Sequence, residues 1–337
     1  MFTGDKMLGR SLDEQRLARY RPETSTYTLA IITDEDQASQ IELEDGQIAW
    51  QSMLRYDRMH RKADPTTGQV SYSFEEVPES EGGRNQLISL VAEGGRGAEF
   101  SEIIRFGDKL LAIDDRTGLI CEIREGHELI PRNILIAGSG DEEFKGFKSE
   151  WATLKGNQLI VGSHGKVGLD EAGNPTTGKQ EWIKVIDSDY RVQSVNWHDY
   201  YQAMREAFGI DAAKGYLTHE AAEWHPHKQC WYFFPRKVSF EPFDEPIDER
   251  DRGGNTLIIA DETFQNLEVQ TIGERVPDRG VSSIKLIPGH SEECVALKSV
   301  ERGNMTETYA FCFDLEGNVL SEEVFLGNYK CEGVEIV

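Results

Sequence analysis

Residues 95–118 read GRGAEFSEIIRFGDKLLAIDDRTG. A Gly-Arg-Gly turn leads into an apolar run headed by Ser101 and continued by Ile103, Ile104 and Phe106. A second turn, Gly107-Asp108-Lys109, is followed by Leu110–Ile113 and then by Asp114-Asp115-Arg116-Thr117-Gly118. Two short apolar runs joined by turn residues predict a β-hairpin. The pattern returns downstream. Glu150 opens EWATL, Lys155-Gly156-Asn157-Gln158 makes the turn, and LIVG follows from Leu159. It returns more loosely at Glu220 within HEAAEWHPHKQCWYFFPRK, at Ser282 within SSIKLIPGHSEECVALKS, and in truncated form at Glu332 within EGVEIV. The leading residues stand 49, 70, 62 and 50 positions apart, which suits blades with loops of unequal length better than a strict repeat.

Five such units predict an all-β fold, a five-bladed β-propeller. The innermost strands of a propeller line a central channel, so one Ser or Glu from each blade would converge there. Three carboxylates and two further oxygens form a hard-oxygen site suited to calcium. Without a cation, three carboxylates in a narrow channel would repel one another. Glu99 and Glu102 flank Ser101, and strand alternation points them to the opposite face. They are read as secondary.

Composition narrows the class. The chain has 337 residues, 38% of them hydrophobic, which is enough for a sizeable core. Its formal net charge of −24 argues against nucleic acid or anionic lipid as a partner held by a basic field. An anionic substrate would need a local basic cluster or a bound cation. No apolar stretch is long enough to span a bilayer, and the N-terminal MFTGDKMLGRSLDEQ shows no signal-peptide h-region. The five cysteines are scattered without CxxC or metal-ligand spacing and read as buried free thiols. Asn304-Met305-Thr306 is a glycosylation sequon; Asn174-Pro175-Thr176 is excluded by its proline.

Residues 1–26 read as a polar N-terminal arm, helical around Leu12–Tyr20, and residues 27–337 as one propeller domain. Tyr27–Thr33 is a buried-strand run ending on Asp34-Glu35-Asp36. Strands are expected around Gln47–Trp50, Val70–Phe74 and Gln86–Val91, and a helix over Asn196–Phe208 whose aromatics serve packing. Asp114-Asp115-Arg116 follows a strand end, where it could hold a water beside a phosphate or simply form a type I turn. Lys148 precedes Glu150 and could meet a polyphosphate or solvent. Gly162–Lys166 is glycine-rich without the GxxxxGKS/T spacing of a P-loop, and His219-Glu220 lacks the second histidine of a zinc helix.

These motifs together resemble the calcium-activated nucleotidases, the apyrase family. The resemblance runs from about Tyr27 to Val337 and rests on GRGAEFSEII, DDRTG, GFKSEW, GYLTHEAAEW, FFPRK, GVSSIKLIP and EGVEIV. It implies a calcium-dependent hydrolase that removes the terminal phosphate of nucleoside di- and triphosphates. Carried over residue by residue, the calcium ligands are Ser101, Glu150, Glu220, Ser282 and Glu332. Ser282 is preferred to Ser283 by its place in the motif. Asp34, Asp36 and Asp115 would position or deprotonate the attacking water, with Asp114 in support. Lys148, Arg116 and Arg236 would bind phosphate oxygens, and Lys298 would point into the tunnel. The resemblance also implies a secreted or secretory-pathway protein and homodimers in some members. With no signal peptide visible, a cytoplasmic location stays open. The rival reading is a calcium-binding propeller without catalysis, and a third is another propeller hydrolase such as a lactonase.

Overall fold

The structure is a computed structural model that describes residues 9–140, 145–169, 175–176 and 178–337. The first eight residues of the expected arm, and Asn174 of the excluded sequon, lie outside these. Five antiparallel sheets stand around a central axis as the blades of a propeller. Blade I is composite. Its innermost strand is the C-terminal Cys331–Ile336, which pairs with Thr26–Thr33; that strand pairs with Ile48–Ala63, and the latter carries Gln40–Glu42, Val70–Glu76 and Arg84–Ser89. The other four blades each have four strands in chain order. They begin at the inner strands Phe100–Phe106 (blade II), Trp151–Lys155 (III), Tyr216–His225 (IV) and Arg279–Ile287 (V). The predicted hairpin is the first half of blade II, Phe100–Phe106 against Lys109–Asp114. EGVEIV pairs with an early strand and closes the ring as expected, removing two sheet edges.

The inner runs are apolar on both faces because each blade is covered on both sides. Leu29 and Ile31 pack towards blade V with Val295, Leu297 and Ala310, whereas Ala30 and Ile32 pack towards blade II with Phe100, Ile103 and Ala112. Each of the five blade-to-blade junctions has its own buried cluster. Between blades III and IV the helix His198–Ala207 adds Tyr201 and Met204 to the core, beside Trp151, Trp197 and Trp231. Its aromatics therefore serve packing. All five cysteines are free, with Cys121, Cys294, Cys312 and Cys331 buried.

Two expectations are corrected. The strand expected around Gln47–Trp50 is the start of a 16-residue strand, Ile48–Ala63. Past Leu54 it runs RYDRMHRKA, charged enough to hide that Leu54 packs towards blade II and Met59 towards blade V. The helix expected around Leu12–Tyr20 is shorter, Leu12–Leu17, and it buries Leu17 and Arg16 against the end of the channel. Among the described residues no helix is long and apolar enough to cross a membrane.

Candidate active site and metal centre

The inner strands are bulged at the residues the motifs single out. In blade II, Phe100 pairs with Asp114 and Glu102 with Ile113, so Ser101 has no partner in the ladder. Ser282 is skipped in the same way between Val281 and Ser283, Glu332 between Cys331 and Gly333, and Glu220 between His219 and Ala222. Glu150 stands just before its strand, its amide donating to the Gly162 carbonyl at 2.8 Å. A bulge inserts one unpaired residue and re-aims its side chain. Five blades thus present a Ser or Glu at one level of the channel, all buried.

The expected ligand set divides by its partners. The Ser101 hydroxyl is buried and makes no hydrogen bond, while Ser282 donates to the Cys331 carbonyl at 3.1 Å. Arg236 lies between two of the acids, donating to Glu220 at 2.5 Å and Glu332 at 2.8 Å. Lys148 is held by Asp115 and lies 3.0 Å from Glu150. Burial raises the Glu150 carboxyl to about 8 against the opposing charge of Lys148, with Asp115 and Glu220 adding to the rise. Glu332 is raised well above the carboxylate range, first by burial and further by Asp34 and Glu220, although Lys330 and Arg236 oppose it. Carboxyls driven this far up in contact with one another fit a site whose charge a cation would offset. The donors are all oxygens and include an orphaned buried hydroxyl. That chemistry fits a hard cation.

Beside this ring lies a second acidic group. One carboxylate oxygen from each of Asp34, Glu99 and Asp115 lies within 4.8 Å of the others. By mutual closeness this trio is the tighter cluster, but the ring has the orphaned hydroxyl and takes a residue from every blade. Either oxygen set could hold a hard cation, and the trio lies beside the ring at the channel mouth. Lys330, absent from the expected set, anchors the mouth: its ammonium donates to Asp34 and Asp36 at 2.9 Å each and lies 3.4 Å from Glu332. Burial pushes the Asp34 carboxyl up, but the charge and hydrogen bond of Lys330 outweigh it and leave it lowered. Asp36 is raised by burial and by Asp34. Glu99 is pushed up to about 7, chiefly by burial, despite Arg96 donating to it at 2.7 and 2.6 Å. Glu99 is therefore no secondary residue. Two residues before Ser101 and just ahead of the strand Phe100–Phe106, it lies on the serine's side by the period of two and not on the far face.

Of the trio only Asp115 faces the pocket of about 290 Å³ over the ring. Asp36, Asp115, Lys148, Glu150, Glu220, Arg236, Lys330 and Glu332 line it, with His164, Lys166, Lys237 and Phe243. Two expected phosphate contacts are not brought here. Arg116 turns back to pair with Glu93 at 2.5 Å. Lys298 donates to Glu323 at 2.5 Å with its ammonium 4.8 Å from the Phe311 ring, so it does not enter the tunnel. Asp114 forms the turn instead: its Oδ1 accepts from the Arg116 and Thr117 amides at 2.8 and 2.7 Å, and it is raised to about 7, mainly by burial. It supports Asp115 through the backbone. Lys166 closes the glycine-rich stretch Gly162–Lys166, whose sequence invites comparison only with a P-loop, and Phe243 lies in a polar loop without a motif; the ammonium sits 3.5 Å from the ring centroid, and Phe243 is 53% exposed.

Comparison with known proteins adds three findings. The family model described as Apyrase matches residues 35–337. Soluble calcium-activated nucleotidase 1 of Rattus norvegicus is 38% identical over 312 residues, 92% of this chain and 74% of that protein. The apyrase of Cimex lectularius is 39% identical over 258 residues, covering 76% and 70% of the two chains, and apyrase apy-1 of Caenorhabditis elegans is 36% identical over 312 residues, covering 91% and 83%.

Proposed function

The chain belongs to the apyrase family, and from that premise we infer that the channel pocket is the catalytic site of a nucleotide phosphohydrolase. The chain is a nucleotide-hydrolysing enzyme by this membership. The finer reading is that it takes nucleoside di- and triphosphates and removes the terminal phosphate in a calcium-dependent way. One observation carries it. In a chain of net charge −24, the buried Arg236 and Lys330 and the half-exposed Lys148 gather in one pocket with Glu150 and the bulge-set Glu220 and Glu332.

Ser101, Glu150, Glu220, Ser282 and Glu332 would hold the calcium ion. Bound there, the ion supplies positive charge for phosphate oxygens, the usual means of easing phosphoryl transfer. The protein's own groups do the rest. Lys148, Arg236 and Lys330 bind phosphate oxygens from the pocket wall. Asp34, Asp36 and Asp115 orient the attacking water; burial and the charge of Asp34 raise the Asp36 carboxyl, as suits a general base. Glu99 sits against Asp34 and Asp115 and can accept the proton onward. Asp114 fixes the turn that presents Asp115. The exposed ring of Phe243, backed by Lys166, offers the nucleobase a face on which to stack. Arg116 and Lys298 keep the places the structure gives them and are assigned no phosphate.

Phosphate release from UDP, GDP, ADP and ATP, measured with calcium, with magnesium alone and with chelator, tests this reading. Calcium-dependent release that disappears in Glu220→Gln is expected. No release from any nucleotide, while calcium still raises the melting temperature, would leave a binding module in its place. The family resemblance further leads us to place the protein in the secretory pathway. Asn304 of the sequon is exposed, so an endoglycosidase mobility shift lost in Asn304→Gln is expected. A calcium-linked homodimer is proposed on the same ground, and sedimentation with and without calcium decides it.

A further inference from the structure

The inner strand of blade II starts at the channel mouth and ends on the opposite face, where Arg105 lies about 13 Å along the strand from Ser101. There it meets the N-terminal helix Leu12–Leu17 and the residues that follow it. Leu12, Gln15, Arg16, Arg19, Arg105, Gly107, Asp108 and Leu154 enclose a pocket of about 350 Å³. Three of the eight are arginines, in a chain whose acids outnumber its bases by 60 to 36.

These guanidiniums are under-used. Arg16 is 6% exposed; it pairs with Glu223 and lies 3.7 Å from Glu335, yet its Nε and Nη1 make no hydrogen bond. Arg19 Nη1 and Arg105 Nε are likewise sheltered from water and without an acceptor. Among the described residues neither Arg19 nor Arg105 has a carboxylate at ion-pair distance. The nearby acids are committed elsewhere. Glu335 accepts the backbone amide of Arg105 at 3.0 Å, Glu223 also takes the Thr153 hydroxyl at 2.7 Å, and Asp108 is paired with Lys109 at 2.9 Å. Arg105 is depressed by burial and then by the charge of Arg19. Buried N–H groups without acceptors and like charges facing each other are both costly. One oxyanion with several acceptor oxygens relieves both, and the planar fork of arginine suits phosphate oxygens in particular.

We propose that this pocket is a second anion site, distinct from the channel mouth, that binds a phosphate group. Among the described residues no aromatic side chain lines it to stack a base; it takes inorganic phosphate or the phosphate end of a larger molecule. The proposal is independent of the hydrolytic reading, because its readout is binding. Since the helix supplies Arg16, the residues after it supply Arg19, and Arg105 comes from blade II, an occupant would also fasten the N-terminal segment to the propeller.

The test is equilibrium dialysis of labelled orthophosphate against the full chain, the Arg19→Gln/Arg105→Gln double variant, and Arg236→Gln at the channel mouth. The double variant should bind the basal phosphate about ten-fold more weakly or not at all, with calcium-dependent nucleotide hydrolysis retained. Arg236→Gln should keep basal binding. Displacement of that phosphate by a non-hydrolysable nucleoside diphosphate in Arg236→Gln identifies the source as a nucleotide's phosphate end; no displacement identifies free phosphate. Unchanged binding in the double variant, or complete loss in Arg236→Gln alone, overturns the proposal. Should the double variant fail to fold, Arg19→Gln alone decides by the same comparison, because that side chain is only half-buried.

Discussion

At the scale of single residues, Lys330 and Gly333 show how little freedom the channel mouth has. Lys330 is the cation shared by Asp34, Asp36 and Glu332, and no uncharged side chain could replace its three-way contact. In Lys330→Met the acids would repel one another, and the water and phosphate positions they define would be lost. We expect kcat for phosphate release to fall about 100-fold or more, with a smaller change in KM; a change in KM alone would make Lys330 a substrate anchor only. Gly333 follows the bulged Glu332 and lies where the innermost strand of blade I meets that of blade II. A Cβ there would stand 2.6 Å from the Ile103 nitrogen and 2.8 Å from the Glu102 carbonyl carbon, both backbone atoms that cannot swing away. Gly333→Ala should therefore cost about 1–3 kcal/mol, read as a lower urea midpoint at unchanged slope. A midpoint equal to that of the natural chain would show that the inner ring is looser than these contacts imply.

At the scale of the element, the bulged inner strand is the unit that makes the site, and it marks the limit of what the sequence discloses. The strands themselves were legible: the paired apolar runs, their turns and the nine-residue step from Ser101 to Leu110 and from Glu150 to Leu159 predict hairpins, five of them, and the blades follow. The bulges were not, because a bulge is an irregularity of pairing that leaves no composition cue in one strand. Glu99, two residues before Ser101 and so on its side of a period-two pattern, stands just ahead of the strand Phe100–Phe106, and Lys330 stands just ahead of Cys331–Ile336; both lie where strand patterning carries little information. Lys298 failed for the opposite reason: on a second strand its direction depends on a loop acid, Glu323, that lies 25 positions away in sequence. The bulge also makes a separable prediction. The Ser101 hydroxyl has no partner in the protein, so Ser101→Ala should leave the calcium-free melting temperature nearly unchanged while reducing the rise that calcium produces. An equal calcium-induced rise in both proteins would remove Ser101 from the ligand set.

At the scale of the whole molecule, a propeller is as stable as its closure, and here the first and last blades are joined by more than the C-terminal strand. Arg61, on the long strand of blade I, donates to Glu293 of blade V at 2.9 and 2.6 Å, and the Tyr72 hydroxyl donates to the same carboxylate. This fork crosses the junction where the chain's beginning and end meet, 232 residues apart. Burial alone would raise the Glu293 carboxyl, but the hydrogen bonds from Arg61 and Tyr72 and the arginine's charge bring it below its ordinary 4.5. A carboxyl that is more acidic in the folded chain than in the unfolded one stabilises the fold above the unfolded value. That contribution drains away as the pH falls through the lower, folded value. The Glu293 side chain is 12% exposed, so solvent screens the pair only in part. Glu293→Gln would leave Arg61 with a neutral acceptor at a junction built for an ion, and should cost about 1–3 kcal/mol at pH 7. The same variant should differ progressively less from the natural protein as the pH is lowered below about 4, because protonation then leaves the natural Glu293 as neutral as the glutamine that replaces it. Thermal unfolding of the two proteins from pH 7 down to pH 3 reads this directly. Melting curves that stay parallel over the whole range would mean that the fork contributes by shape and not by charge, and that closure rests on the strand pairing of Cys331–Ile336 with Thr26–Thr33.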